Sequence, residues 1–336
     1  MKNDLNRKRG AAGLWQAYIS KPGAGVFLAL IAFIIFVSIL APRITGGNFL
    51  TWTNIINVFR QQTYIGIIAC GMTLVMITGN IDLSVGSQLT LMSVMCAQFS
   101  RRMGDSAIFI TLAIGLGCGI INGLLVSGLK LNAFITTLGT GSVYGALTLI
   151  LASGQTIRAE SKLFDAIGSG SVFGVVPVPV IILLVVVVIF AFVLSRTVFG
   201  QRLYTIGANP VAARFSGIHS RRDVAITYIL NGLCCAIAAI TLVARSVSAN
   251  PQIGASKEMD VILAVVLGGT SILGGKGSVW GTVVGFLFIG FMSSGFTFLR
   301  LSQYMQWIIM GVILIVALAI DVFSERGVRL WKRKKD

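Results

Sequence analysis

Charge is what this 336-residue chain has least of: only 11% of its residues are charged, while 55% are hydrophobic. Soluble domains carry roughly 25% charged residues, so a soluble globular protein is excluded. Acid is the scarcer sign, with 11 Asp and Glu against 27 Lys and Arg. There is one histidine, His219, and it stands alone, which removes any Ser–His–acid arrangement. The five cysteines (Cys70, Cys96, Cys118, Cys234 and Cys235) lie inside apolar stretches without CxxC spacing, as small packing residues do. No metal site, no cofactor and no catalytic residue set is expected. A phosphate loop is missing too. The segment Gly269–Ser278 resembles one, but Thr270 stands where its first glycine is needed and Gly277 where Ser or Thr should follow Lys276.

What the chain does have is long apolar runs. The composition is that of an all-α polytopic membrane protein, with mean hydropathy +0.89. Runs at 24–41, 63–78, 84–99, 106–127, 132–152, 177–195, 223–244, 259–274, 279–299 and 303–323 predict about ten transmembrane helices, with a range of eight to eleven. The second, third and eighth are short and glycine-broken. The basic start (Lys2, Arg7, Lys8, Arg9) is followed by an apolar run and Pro42-Arg43 rather than a small-residue cleavage site, so it reads as a retained first span.

The net charge of +16 follows topology rather than nucleic acid, because basic residues gather at the ends of apolar runs. With both termini cytoplasmic, inside segments hold twice as many basic residues as outside ones; Arg101-Arg102 is the pair that fits poorly. This divides the chain into a basic cytoplasmic N-terminus (1–23), a single transmembrane domain (24–323) and a basic cytoplasmic tail (324–336). Within the domain, 153–176 is the main outer loop and 196–222 the main inner one. In the inner loop, Asn209 and Pro210 predict a capped short helix through Val211–Ser216, with Gly217 as terminator. Such a helix either lies as a solvated basic loop or docks a cytoplasmic partner.

The densest polar segment is Thr78–Ser87, which places Asn80, Asp82 and Ser84 between two runs apolar enough for lipid. Hydrocarbon cannot satisfy freed backbone groups, and intramembrane carboxylates are functional by default. The charge map sets this segment near the inner end of two short spans. There Asp82 is expected to reach water and cap the third helix, with Asn80 and Asp82 as polar pins of a broken-helix gate. Asn122 reads either as an interhelical hydrogen bond or as a pathway residue, and Thr136 and Thr137 stand at helical spacing on the entry to the fifth span. Glu258 and Asp260 open the eighth span, where acids favour a helix N-terminus and also suit an outer mouth. The pattern Gly-x-Gly-Ser-Val-aromatic-Gly, present at 139–145, 168–174 and 275–281, reads as helix packing.

Several of these segments resemble one family. Gly71-Met72-Thr73, Gly79–Ser87, Asn122–Val126, Phe134–Thr140, Phe199–Arg202, Ile206–Arg214, Glu258–Asp260 and Val266–Thr270 with Gly274–Ser278 are together similar to the ribose-type permeases of bacterial ABC sugar importers. The likeness covers about residues 63–321. The chain departs from the family pattern at Asn80, Gln201, Val261 and Leu263. The resemblance implies an inner-membrane permease for a monosaccharide, paired with a second copy or paralogue, two cytoplasmic ATP-binding subunits and a periplasmic sugar-binding protein. Asn209, Pro210, Ala212, Ala213, Arg214 and Gly217 would then be the coupling helix, Glu258 and Asp260 the periplasmic mouth, and Asn80, Asp82, Ser84, Asn122, Thr136 and Thr137 the pathway or gate. The alternative is an ion-coupled secondary transporter using Asp82. Few aromatics beyond Tyr64 and Tyr144 lie near the polar segments, so no tight sugar site is expected in the chain itself.

Overall fold

The computed structural model describes residues 24–172, 174–313 and 315–316. The basic N-terminus (1–23), the tail (324–336) and the end of the tenth expected span lie outside the described residues.

The chain is built of helices. In order they are α1 (Ala24–Thr45), α2 (Trp52–Ile77), α3 (Val85–Met103), α4 (Ala107–Gly123), α5 (Ala133–Ala152), α6 (Lys162–Ser169), α7 (Val178–Arg196), α8 (Val198–Ala208), α9 (Pro210–Phe215), α10 (Ser220–Ser246), α11 (Lys257–Leu267) and α12 (Val279–Phe298). A further helix runs from 303 through the last described residues. Among the described residues there are also two pairs of two-residue strands: Ile157–Arg158 (β1) with Ser248–Ala249 (β4), and Ser171–Val172 (β2) with Val176–Pro177 (β3). Among the described residues, six segments are long and apolar enough to cross a membrane. One of them, Val85–Gly128, contains both α3 and α4, folded against each other about Gly104 in a left-handed conformation.

The eighth expected span differs from the structure. Instead of running over 259–274, α11 stops at Leu267. Gly268 closes it and Gly269, Gly274, Gly275 and Gly277 all take positive φ, so the backbone leaves the helix where glycine makes left-handed turns cheap. Helix α2 is longer than its apolar run, because Thr51 caps it 12 residues before Thr63 by accepting from the Asn54 N–H at 3.2 Å.

Helix α10 is the central element and packs most extensively on α4, α2 and α3. Glycine makes the first of these contacts possible. A Cβ on Gly232 of α10 would sit 2.3 Å from the Gly115 carbonyl oxygen, and one on Gly119 of α4 would sit 2.6 Å from that of Tyr228. Backbones this close leave no room for any side chain, as in small-residue helix crossings within membranes. The core around this crossing includes Met72, Leu89, Met92, Tyr228, Cys234 and Cys235. Two of the three Gly-Ser-Val repeats also pack closely, Gly168 against Ala244 and Gly281 against Gly268.

The bundle has two distinct ends. At one, β1 pairs with β4, α6 packs on α10, and Arg60 donates to the Gly168 carbonyl. Arg101 meets Glu160 at 3.7 Å there, which gives one of the two ill-fitting arginines an acidic neighbour. Asp105 accepts from the Ser161 hydroxyl and from the Leu163 N–H. These bonds, with Lys162 nearby, hold its carboxyl below the usual range. The stabilisation from this clip is therefore present above the ordinary carboxylate range and fades as pH falls through the lowered one. At the other end, the Ile77 carbonyl accepts from the Gly275 N–H at 2.8 Å, the Tyr204 hydroxyl donates to the Gly277 carbonyl at 2.8 Å, and α8 and α9 lie beside them.

The α4–α10 crossing is testable within one helix. Gly115→Ala should destabilise the chain by about 1–3 kcal/mol through overpacking, since its Cβ would meet the Gly232 carbonyl oxygen and Ala236 Cβ, both at 2.6 Å. Gly117→Ala meets nothing within 4 Å and should leave the thermal midpoint in detergent unchanged or raised.

Candidate functional site: a buried carboxylate, a polar cavity and a projecting helix

Three features carry the candidate chemistry, and the polar segment after α2 supplies the first. Asp82 has no exposed surface. Its Oδ1 accepts from the Ser84 N–H at 3.0 Å and the Ser84 hydroxyl at 2.5 Å. Its Oδ2 accepts from Asn231 Nδ2 at 3.0 Å and, more distantly, from Gln88 Nε2 at 3.4 Å. Asn122 Nδ2 and Gln88 Nε2 both donate to the Ser84 hydroxyl oxygen, at 2.8 Å and 2.7 Å. Around this centre the Tyr228 hydroxyl donates to the Ile81 carbonyl, and Thr137 Oγ1 accepts from the Leu83 N–H. Donors from the start of α3 and from α10 thus converge on a single carboxylate, and one from α4 reaches it through the Ser84 hydroxyl.

The placement corrects the expectation that Asp82 reaches water near the end of the bundle. The segment turns back between α4, α5 and α10, and Asn231 lies about 16 Å along α10 from its first residue at 1.5 Å per residue. Gly141 makes room for this, with its Cβ position only 3.3 Å from Ser84 Cα. Of the predicted pathway residues, Asp82, Ser84, Asn122 and Thr137 meet in this cluster. Asn80 does not: its Nδ2 donates to Thr78 Oγ1 at 2.9 Å, closing its own turn. Thr136 is half-buried and outside the network. Gln88, Tyr228 and Asn231 were missed, because a lone amide or phenol in a long apolar helix has no local pattern to single it out.

The second feature is a cavity of about 360 Å³ bounded by α2, α11, α12 and the helix from 303. It lies toward the end of the bundle that carries β4. Its polar walls come from Gln61, Gln62 and Tyr64 on one side and from Gln303, Gln306 and Trp307 on the other. Asp260 lines it, paired with Lys257 at 2.8 Å, and Arg245 stands beside them. Glu258, expected at the same mouth, points elsewhere: its Oε2 lies 2.3 Å from the Cβ position of Gly86, against the first turn of α3. Residues two apart on a helix face nearly opposite ways, so the structure separates the two acids.

The third feature is α9. Asn209 Oδ1 accepts from the N–H groups of Val211 and Ala212, each at 3.0 Å, Pro210 occupies the first turn, and Gly217 takes φ +76° just past the end. These are the cap, start and stop that the residues predict. The sequence did not single out α8, capped by Thr197, which lies between α7 and α9. Ala213 differs from the expected outward-facing role. It is fully buried and seats α9 on the bundle, while Val211, Ala212, Arg214 and Phe215 project, Phe215 at 89% exposure.

A family model described as the permease component of a branched-chain amino acid transport system matches residues 54–318. The chain belongs to this permease family. It is also 42% identical over 305 residues to the ribose import permease protein RbsC of Bacillus subtilis, covering 88% of this chain and 92% of that protein. Against the protein of the same name from Haemophilus influenzae the identity is 37%, over 88% and 91%. The fructose import permease protein FrcC of Rhizobium meliloti is 33% identical, over 84% and 81%. No solved structure matches the chain. The matched region takes in the Asp82 network, the cavity and α9 of this permease, so all three belong to the part shared with its relatives.

Removing a donor from Asp82 should be felt directly. Asn231→Ala leaves the carboxylate one partner short inside the bundle, and an unmet buried group costs about 1–3 kcal/mol. Thr136→Ala, outside the network, should change the detergent melting midpoint little; equal losses for both would deny the network its structural role.

Proposed function

We propose that the chain is the membrane subunit of an ATP-driven importer for a monosaccharide, ribose or another pentose or hexose. The observation that carries this reading is α9. A short helix is held rigidly by a side-chain cap and a buried alanine, and it presents Phe215 almost wholly to solvent. Large apolar side chains this exposed on a well-anchored element mark a docking surface. A cytoplasmic ATP-binding subunit is the partner such a helix serves in an ABC importer. Asn209, Pro210 and Gly217 shape the helix, Ala213 seats it, and Val211, Ala212, Arg214 and Phe215 make the contact.

In this reading the chain crosses a bacterial inner membrane ten times with both ends in the cytoplasm. The longer helices α1–α5, α7, α10 and α12, together with short α11 and the helix from 303, are the crossings of one domain spanning 24–323. Two observations support the orientation. The α6, β1 and β4 elements gather at one end of the bundle and α8 and α9, with five arginines between 196 and 222, at the other. The sequence segments assigned to the cytoplasm, both termini included, hold twice as many basic residues as those assigned outside. A second copy or paralogue would cover the side where Arg245, Lys257 and Asp260 open out, since charged groups there are costly against lipid. A periplasmic sugar-binding protein would deliver solute to the α6 end. ATP hydrolysis belongs to the partner subunits, and the permease does no chemistry of its own. The names of the sugar-import relatives favour a sugar over the amino acid in the family description.

The Asp82 network serves as the fixed pivot of the pathway. Four neutral donors hold the carboxylate, and it has no exposed surface at which a coupling ion would bind. This argues against the ion-coupled alternative.

The test is reconstitution of the full chain with its ATPase and binding protein in proteoliposomes. Uptake of labelled ribose should require ATP; uptake by the chain alone on a sodium or proton gradient would overturn the reading. Phe215→Asp should weaken ATPase association about thirtyfold, the equivalent of about 2 kcal/mol for an interface anchor, and uncouple hydrolysis from uptake. Undiminished uptake by a well-assembled variant would place the docking surface elsewhere.

A further inference from the structure

We infer that the cavity between α2, α11, α12 and the helix from 303 is a solute site in the permease itself, built to hold one neutral polyhydroxylated ring. This rests on the importer reading and deepens it, because it assigns ring recognition to this subunit as well as to any delivering protein.

Four amides face this volume from two helices, Gln61 and Gln62 from α2 and Gln303 and Gln306 from the helix at 303. A primary amide offers donors and an acceptor on one rigid plane, which matches hydroxyl groups that both donate and accept. One of them is visibly unsatisfied: Gln62 Oε1 is buried and has no hydrogen-bond partner. A buried acceptor left unmet is expensive, and a hydroxyl in the cavity would meet it. The arrangement is spatially enforced, because a Cβ on Gly290 of α12 would stand 2.4 Å from Gln62 Cγ. Glycine at that position is what lets the Gln62 side chain lie where it does.

The remaining walls fit the same ligand class. Tyr64 and Trp307 supply ring faces for the apolar C–H side of a sugar, and Trp307 is steadied by an edge contact with Tyr304 at 5.8 Å. At about 360 Å³ the volume falls in the range of small-molecule pockets.

Charge narrows the choice further. Lys257 and Asp260 neutralise each other at 2.8 Å, and among the described residues Asp260 is the only acid lining the cavity. An ammonium group therefore finds no free carboxylate, which disfavours a cation and the amino end of an amino acid. Arg245 leaves the lining one positive charge in excess and stands at the wall as a donor, to a hydroxyl oxygen of a neutral ring or to an anionic group, two cases that the sugar-phosphate arm of the test below separates. The aromatic and amide groups come from residues more than 230 positions apart, which is why the chain read in order shows no sugar-stacking cluster.

The test uses the full chain with Gln303→Cys in proteoliposomes and a membrane-impermeant maleimide. All five native cysteines are buried, and Gln303 is exposed to the cavity, so the new thiol should dominate labelling. D-ribose at about ten times its dissociation constant should slow labelling about tenfold by mass action. Leucine and ribose 5-phosphate at equal concentration should not. Ser302→Cys, on the same turn but outside the lining, should label at a rate ribose leaves unchanged. Protection by leucine or by the sugar phosphate, equal protection at Ser302, or no protection at all would overturn the inference. A second readout needs no cysteine: ribose should shift the tryptophan emission of the unaltered chain, and Trp307→Phe should abolish that shift. ATP-driven ribose uptake without protection at Gln303 would sink this site while leaving the importer reading intact. Absence of any ATP-driven monosaccharide uptake by the assembled wild-type importer would sink the importer reading itself.

Discussion

A single carboxylate buried among neutral donors sets the terms for the rest of this molecule. Asp82 sits where α3, α4 and α10 converge, and the Ser84 hydroxyl ties three of its neighbours together. Charge in an apolar interior is tolerated only when its hydrogen bonds are met. Each donor therefore constrains the helix that carries it: Asn231 sets the depth of α10, Asn122 the rotation of α4, and Ser84 with Gln88 the first turns of α3. A polar cluster of this kind specifies register in a way that Leu and Val packing cannot, because apolar side chains in a membrane gain little by choosing one neighbour over another.

Glycine makes that convergence physically possible. The α4–α10 crossing has backbone against backbone at Gly115, Gly119 and Gly232, and Gly141 lets α5 approach Ser84. On the far side of α3, Gly86 abuts Glu258 and the Gly254 carbonyl, and the Gly254 N–H donates to Thr90 Oγ1. The Asp82 cluster is thus joined through α3 to the start of α11, whose next residues, Lys257 and Asp260, line the solute cavity. A movement of α11 relative to α3 would be felt at both places. At the opposite end, the glycine-rich turn after α11 packs on Ile77 and α8, one helix away from α9. One short broken helix therefore touches the cavity wall, the buried carboxylate's helix and the region where a motor subunit would push.

Much of this was legible in order along the chain. Each of the ten apolar runs coincides with helix over its described part, though α11 is shorter and α2 longer than its run. The Asn209-Pro210…Gly217 helix was readable because capping is local: an acceptor, a proline and a glycine within nine residues state where a helix starts and stops. Thr78–Ser87 stood out because polarity between apolar runs is unusual. Its burial was not legible, since depth depends on which helices close around it. Asn231, Gln88 and Trp307 carried no signal, because each acquires meaning only from residues far away in sequence.

The division follows from the range of the forces involved. Composition, hydropathy period and local caps are properties of neighbouring residues, so the chain alone determined a helical membrane protein, where its apolar helices fall and the short helix on one end. Where a carboxylate is satisfied, which of two acids two residues apart faces a cavity, and whether scattered glutamines and a tryptophan form one site are decided by contacts across more than a hundred residues. Only the packed helices, brought close by glycine and locked by buried hydrogen bonds, could settle those.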